Sequence, residues 1–199
     1  MIRFARLIRR LLSRRDGNAP VELVLMSPLL LWGMMGTLVY FDGFRVEAVS
    51  TKTSMTIADM LSRERDYVDD AYIDSMYALQ QFLNLHDKAP ELRVSVLRYH
   101  TKDDDTGFTE VAPHYHVVWS EVRGTTRKPL ESADMPEMIN RLPIMADEGR
   151  MILVETWTNY KPPLRAIREV TVPSFTFTAP RDTNVCFNNT PTDPLADEC

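Results

Sequence analysis

The feature that most constrains this chain is an apolar run from Val21 to Phe41, which reads VELVLMSPLLLWGMMGTLVYF. It contains one ionisable side chain, Glu22, at its edge. A helix of this length rises about 30 Å, which is the thickness of the hydrocarbon core of a bilayer. A buried core helix in a small domain usually shows a polar stripe, and none is present from Leu23 to Phe41. The run therefore predicts a transmembrane helix, which we bound at residues 18–41.

The charges on either side of this run predict its orientation. Residues 1–17 form a basic leader with six arginines against a single acid, Asp16, whereas the portion from Asp42 onward has 17 basic and 26 acidic residues. The positive-inside rule then places the N-terminus in the cytoplasm and the C-terminal portion outside. A cleaved secretory signal would have a shorter apolar run and a cleavage site of small residues, which Asp-Gly-Phe-Arg after Phe41 does not provide. The acidic main body also disfavours nucleic acid as a partner.

The remaining chain has the composition of one globular domain. Hydrophobic residues make up 44% and charged residues 26% of the 199 residues, which is ordinary usage for a protein with a packed core. Residues from Asp42 to about Leu85 are predicted to be mainly helical, because apolar side chains recur at steps of three, four or seven. This stripe consists of Ile57, Leu61, Val68, Tyr72, Met76, Leu79 and Leu83, widened by Met60, Ala71 and Phe82.

The rest of the domain is predicted to be sheet. Three runs rich in β-branched and aromatic residues, Leu92–Tyr99, Tyr115–Val122 and Met151–Trp157, predict strands. A fourth, Val170–Thr178, contains Pro173 and suits an edge strand. Residues 131–149 are predicted to form short helical turns broken by Pro136 and Pro143. The fold class is therefore α+β, with a long N-terminal membrane-spanning helix that continues into an amphipathic helix packed on a small, mainly antiparallel sheet over residues 42–185.

The sequence carries no recognised catalytic constellation. His114 and His116 would share one face of a strand, as zinc ligands can, but no third ligand has a convincing spacing, so two surface histidines are the favoured interpretation. The acids Asp103 to Asp105 lack the alternating spacing of a calcium loop. We find no nucleophile elbow, P-loop or dinucleotide fingerprint. The sequence therefore predicts a protein that is not an enzyme and that needs no metal or cofactor.

Two residues of the apolar run suggest a more specific role than anchoring. A carboxylate such as Glu22, one residue inside an apolar span, costs a few kcal/mol if it stays unpaired in lipid, and is by default a functional candidate. The alternative is that Glu22 lies in the headgroup zone, where the cost is small. Pro28 removes a backbone donor and is expected to kink or loosen the helix.

These residues belong to a pattern that resembles a known family. An arginine-rich leader ends at Gly17, Glu22 follows five residues later, and the apolar helix comes directly after it. The segment G-x-x-x-V-E-x-x-x-x-x-P-L-L-L is similar to that of the TadE/TadG-like minor pilins, or pseudopilins, of the tight-adherence (Flp) type IV pilus system. VVWSEV at 117–122 and ILVETWTNYKPPL at 152–164 also resemble strand segments of TadE-like domains.

The resemblance implies a function in pilus assembly. A prepilin peptidase would cut between Gly17 and Asn18, and the new amino group could pair with Glu22 of a neighbouring subunit and set axial register. Leu23 stands where major pilins of this system have an aromatic residue, which favours a minor pilin. Implied partners are other pilin and pseudopilin subunits, the prepilin peptidase and the inner-membrane assembly platform. The protein would cross the bacterial inner membrane once and present a pilin-like domain to the periplasm.

Two further expectations accompany this interpretation. If the C-terminal portion is exported, Cys186 and Cys199 lie where thiols are oxidised, and they are the two cysteines of the sequence. A disulfide between them would close the polar tail 186–199 into a loop; alternatively Cys199 is free or pairs between chains. The alternative function is a single-pass inner-membrane protein whose periplasmic domain binds a partner or has an unrecognised hydrolytic activity.

Overall fold

A computed structural model of the chain describes residues 19–65, 67–84, 89–101, 114–163, 167–181 and 185–187. The chain divides into two compact units between Phe41 and Asp42. Helix α1, Ala19–Ser62, is the one element described in the first unit and continues into the second. Pro20 lies in its first turn, where a fixed φ and a missing N–H are tolerated because that donor has no partner within the helix. The predicted leader, residues 1–17, lies outside the described residues.

Two helices, the later part of α1 and a second helix, lie in the region from Asp42 to about Leu85 that the sequence predicts to be mainly helical. Helix α1 ends at Ser62, and α2 spans Asp70–Leu83. Between them Asp69 has extended backbone (φ −119°, ψ 176°), and its carboxylate accepts a hydrogen bond from the amide of Tyr72 at 2.8 Å. This is the geometry of an N-cap, which starts a new helix. The region predicted to be mainly helical is therefore interrupted between Ser62 and Asp70, because Asp69, one of the acids assigned to the solvent-exposed helix face, is an N-cap.

The buried face of α2 also differs from the predicted stripe. Ile73, Met76 and Gln80 are buried, whereas Phe82 is 72% exposed. Gln80 is drawn inward because its side-chain amide donates to the carbonyl oxygen of Glu91 at 3.0 Å, a contact that hydrophobic periodicity cannot reveal. Three other residues of the predicted stripe are exposed, namely Met60, Ala71 and Leu83.

Four antiparallel strands form one sheet in the order β2-β1-β3-β4. The strands are β1, Glu91–His100; β2, His114–Arg123; β3, Arg150–Tyr160; and β4, Val170–Thr178. Each predicted strand lies within an observed one, and β4 is an edge strand as Pro173 indicated. The α+β class and the antiparallel sheet are confirmed.

The pairing of β1 with β2 contains one irregularity. Val96 pairs with Trp119 and the next residue, Leu97, pairs with Val117, so Val118 is an extra residue on β2. This is the arrangement of a β-bulge. It breaks the strict alternation of faces along β2, and Val118 and Trp119 are both buried in the same core cluster.

The sheet has a core on each face. The helix-facing core contains residues of α1, α2 and the first three strands, with Ile57, Leu61, Ile73, Val94, Ile152 and Val154 among its fully buried members. The other core is covered by 3₁₀ turns at Ser132–Asp134 and Ile139–Arg141 and by the short helix α3, Met135–Met138. Pro136 lies in the first turn of α3 rather than breaking it, because proline is tolerated there.

Candidate membrane and assembly segment

The first unit presents an apolar surface along its described length. Large hydrophobic side chains from Leu23 to Phe41 are exposed in this chain, and Trp32 reaches 79% exposure. Soluble monomers rarely expose contiguous apolar surface of this extent. Among the described residues, α1 is long and apolar enough to cross a membrane by length and composition.

Glu22 lies in the first turn of α1 with its side chain exposed. A carboxylate at this position interacts favourably with the positive end of the helix dipole. The apolar run begins immediately after it with Leu23, which is 67% exposed. The carboxylate therefore lies exposed at the start of the apolar surface.

Pro28 lies inside α1, and the helix continues through it. Proline cannot donate the usual hydrogen bond to the carbonyl four residues earlier, which is that of Val24. The hydroxyl of Ser27 donates to this oxygen at 3.5 Å. Further along, Thr37 donates to the carbonyl of Gly33 at 2.9 Å. The Ser27 hydroxyl thus gives the Val24 carbonyl a donor in place of the one that Pro28 lacks.

The two residues assigned to processing are not described by the structure, whereas two glycines of the apolar run are. Gly17 and Asn18 lie outside the described residues. Gly33 and Gly36 have no atom within 4 Å of the position a Cβ would occupy, so in this single chain neither glycine is required by a close contact.

Cys186 lies next to the start of α2. Its carbonyl accepts a hydrogen bond from the amide of Val68 at 2.8 Å, and it is 8% exposed. Cys186 is disulfide-bonded, and its predicted partner, Cys199, lies outside the described residues.

The two histidines of β2 are accompanied by a cluster that the sequence did not reveal. His114 stacks on His100 with 5.3 Å between ring centroids, and His100 Nδ1 lies 3.0 Å from Glu148 Oε1. The same carboxylate pairs with Arg98, and Glu148 has a left-handed backbone with φ 64°. Within the described parts of the chain, no three His, Cys, Asp or Glu side chains form a group that could hold a metal ion. Asp103 to Asp105 lie outside those parts.

A second arrangement missed from the sequence lies between α1 and the sheet. Ser50 and Ser54 are fully buried and meet hydroxyl side chains of β3 and β4. Their spacing of four residues places them on one helix face. The runs of serine and threonine at 50–56, 156–158 and 174–178 were a signal available in the sequence, but their pairing depends on the fold.

Comparison with known proteins adds no assignment: no family model matches the chain, and neither a curated protein nor a solved structure matches it.

Proposed function

We propose that this protein is a membrane-anchored minor pilin, or pseudopilin, that takes part in assembling a tight-adherence (Flp) pilus. The observation that carries the proposal is the position of Glu22, exposed in the first turn of an apolar helix whose side chains are also exposed. An anchor alone needs only the apolar surface. A carboxylate at its start gives a second subunit something specific to bind.

The physical role of Glu22 follows from its surroundings. Charge pairs in hydrocarbon are much stronger than in water, because each partner alone carries a desolvation penalty. A cation on a neighbouring subunit, such as the amino group that cleavage before Asn18 would create, relieves that penalty for both groups. Pairing at one point along an otherwise featureless apolar helix then sets the axial register between subunits.

The second unit fits a structural role. Its α1 segment and α2 pack on an antiparallel sheet that has an apolar core on each face. In the proposal this unit lies in the periplasm, and the partners are pilin and pseudopilin subunits, the prepilin peptidase and the assembly platform.

Piliation of strains that carry only variant protein tests the role of Glu22. We expect Glu22→Ala to reduce the amount of this subunit in sheared filaments and leave the second unit folded, because the charge lies outside that unit. Glu47→Ala is the matched control, since Glu47 is an exposed glutamate of the same helix within the second unit. Normal incorporation of the Glu22→Ala protein would contradict the register role.

N-terminal sequencing of membrane-extracted protein tests processing separately. A start at Asn18 would identify the substrate of a prepilin peptidase, because a plain anchor keeps Met1. We expect Gly17→Trp to block removal, since the peptidase needs close approach to the backbone. Equal gel mobility of the wild type and Gly17→Trp would show that no cut is made there.

A further inference from the structure

The contact between α1 and the sheet changes its chemistry along the helix. Toward Ser62, both sides of the contact are apolar and completely or almost completely buried. This half is formed by Ile57, Ala58, Leu61, Ile152 and Val154. Toward Asp42, hydroxyl side chains take the place of these residues on the helix and on the strands. We call this second half the hydroxyl seam, and it consists of Ser50, Ser54, Thr156, Thr158, Ser174 and Thr176.

The hydroxyl seam is closed by direct contacts. Ser50 Oγ lies 3.4 Å from Thr156 Oγ1 and 3.3 Å from Thr158 Oγ1. Ser54 Oγ lies 2.8 Å from Ser174 Oγ and 2.8 Å from the hydroxyl of Thr176. Ser54 also donates its proton to the carbonyl of Thr51 at 2.9 Å, so the strand hydroxyls are the donors toward it.

The two halves differ in what separation from the sheet would cost. Opening the apolar half exposes hydrocarbon to water, which is the dominant cost of unfolding. Opening the seam exchanges hydrogen bonds between hydroxyls for hydrogen bonds with water, and that exchange is nearly balanced. Residues 42–55 are all described, and Val46 is the single buried hydrophobic side chain among them. The hydrogen bond from Tyr160 to Asp42, 2.9 Å long, is also one that water can replace.

We propose that residues 42–55 of α1 separate from the sheet as a unit while the helix around Ile57 and Leu61 stays packed. The hydroxyl seam is thus a release point built into the second unit. It lets the helix segment that follows the apolar run change its contact with the sheet while the core stays intact. This inference does not depend on the pilus assignment.

Thiol labelling of the full-length chain in detergent micelles tests the release. Ser50→Cys places a thiol in the seam, and Ala58→Cys places one on the same helix face in the apolar half; both parent residues are at most 2% exposed. The labelling rate of the unsubstituted chain, which contains Cys186 and Cys199, is subtracted from the rate of each variant. Under native conditions we expect Cys at position 50 to be labelled about tenfold faster than Cys at position 58, because local opening exposes only the first. Equal rates would overturn the proposal.

A second comparison does not depend on how well the Ala58→Cys protein packs. Adding Thr156→Val and Thr158→Val to the Ser50→Cys chain converts the part of the seam that faces position 50 into hydrocarbon of the same shape. We expect labelling to slow severalfold, because opening now exposes apolar surface. Thr171→Val, at an exposed position on β4 where the hydroxyl bonds Asn159, is the matched control and should leave the rate unchanged. Labelling that is unchanged or faster in the valine variant would also overturn the proposal.

Discussion

Glu91, at the start of β1, is held by the turn that follows β2. The amides of Thr125 and Thr126 donate to its Oε1 at 3.2 and 2.7 Å. Gly124 makes this approach possible: its φ of 133° suits glycine, and a Cβ there would lie 2.7 Å from Glu91 Cγ. Burial acts to raise the pKa of Glu91, but the two amides and the charge of Arg127 outweigh it and hold the pKa below its ordinary value. The ionised carboxylate is therefore a stabilising group of the folded state.

This lowered pKa makes folding stability depend on pH. The unfolded state takes up protons at a higher pH than the folded state, so the contribution of Glu91 is complete above the unfolded pKa and is lost as pH falls through the folded pKa. We expect the free energy of unfolding of the wild type to fall more steeply than that of Glu91→Gln between pH about 5 and about 3. Denaturant titrations at a series of pH values measure this. Glu47→Gln, at an exposed helix position, is the control, and parallel curves for wild type and Glu91→Gln would contradict the assignment.

Arg123 connects the N-terminal turns of helix α2 to the sheet. Arg123, at the end of β2, donates to Asp74 at 2.5 Å, to Asp70 at 2.7 Å and to Glu121 at 3.1 Å. Its side chain is 19% exposed. Three carboxylates share this guanidinium, and two of them belong to α2. The arginine therefore connects the first turns of the helix to the strand.

Removing this connection should loosen α2. We expect Arg123→Met to lower the free energy of unfolding by about 1–3 kcal/mol, because several charge-assisted hydrogen bonds are lost while the carboxylates stay partly hydrated. Arg63→Met is the matched control, since Arg63 is 61% exposed and its pair with Asp59 spans one helical turn; its effect should stay within about 0.5 kcal/mol. Urea unfolding followed by circular dichroism measures both. Equal losses in the two variants would show that Arg123 does not fasten the helix.

Elements with a local signature could be predicted from the sequence. The strands are rich in β-branched and aromatic residues, and their types and approximate bounds were correct. The long apolar run correctly predicted the type of α1. The break before α2 was missed because an N-cap aspartate among other acids looks like a solvated helix face. Arg123 and Asp70 are 53 residues apart, and Ser50 and Thr156 are 106 apart. Contacts over such separations depend on strand order and register, which composition does not specify.

The candidate site also has some residues that the sequence alone could identify and others that it could not. The long apolar segment and Glu22 at its start could be identified from the sequence, because the length and polarity that a membrane span requires are local properties. The hydroxyl seam could not, since each of its partners is an ordinary serine or threonine. Gly17, Asn18 and Cys199 remain sequence-based assignments.

The proposed topology makes a prediction for the whole molecule. Lys161 follows β3 in the second unit, and its side chain is 65% exposed. If the second unit is periplasmic, a membrane-impermeant thiol reagent should label the Lys161→Cys protein in intact spheroplasts more than it labels the unsubstituted chain. The extent of labelling should equal that reached after the spheroplasts are lysed. Labelling that requires lysis would place this unit in the cytoplasm, against the charge rule that orients it.

The bulge at Val118 makes strand β2 tolerant of a single-codon deletion. Strand β2 supplies one residue more than its pairing with β1 uses. A one-codon deletion in most strands inverts every side chain beyond it, because faces alternate with each residue. Deletion of the Val118 codon would leave Trp119 opposite Val96 and Val117 opposite Leu97, as they are now. At this position of the sheet, the deletion of one codon removes a residue and leaves each neighbouring side chain on its original face.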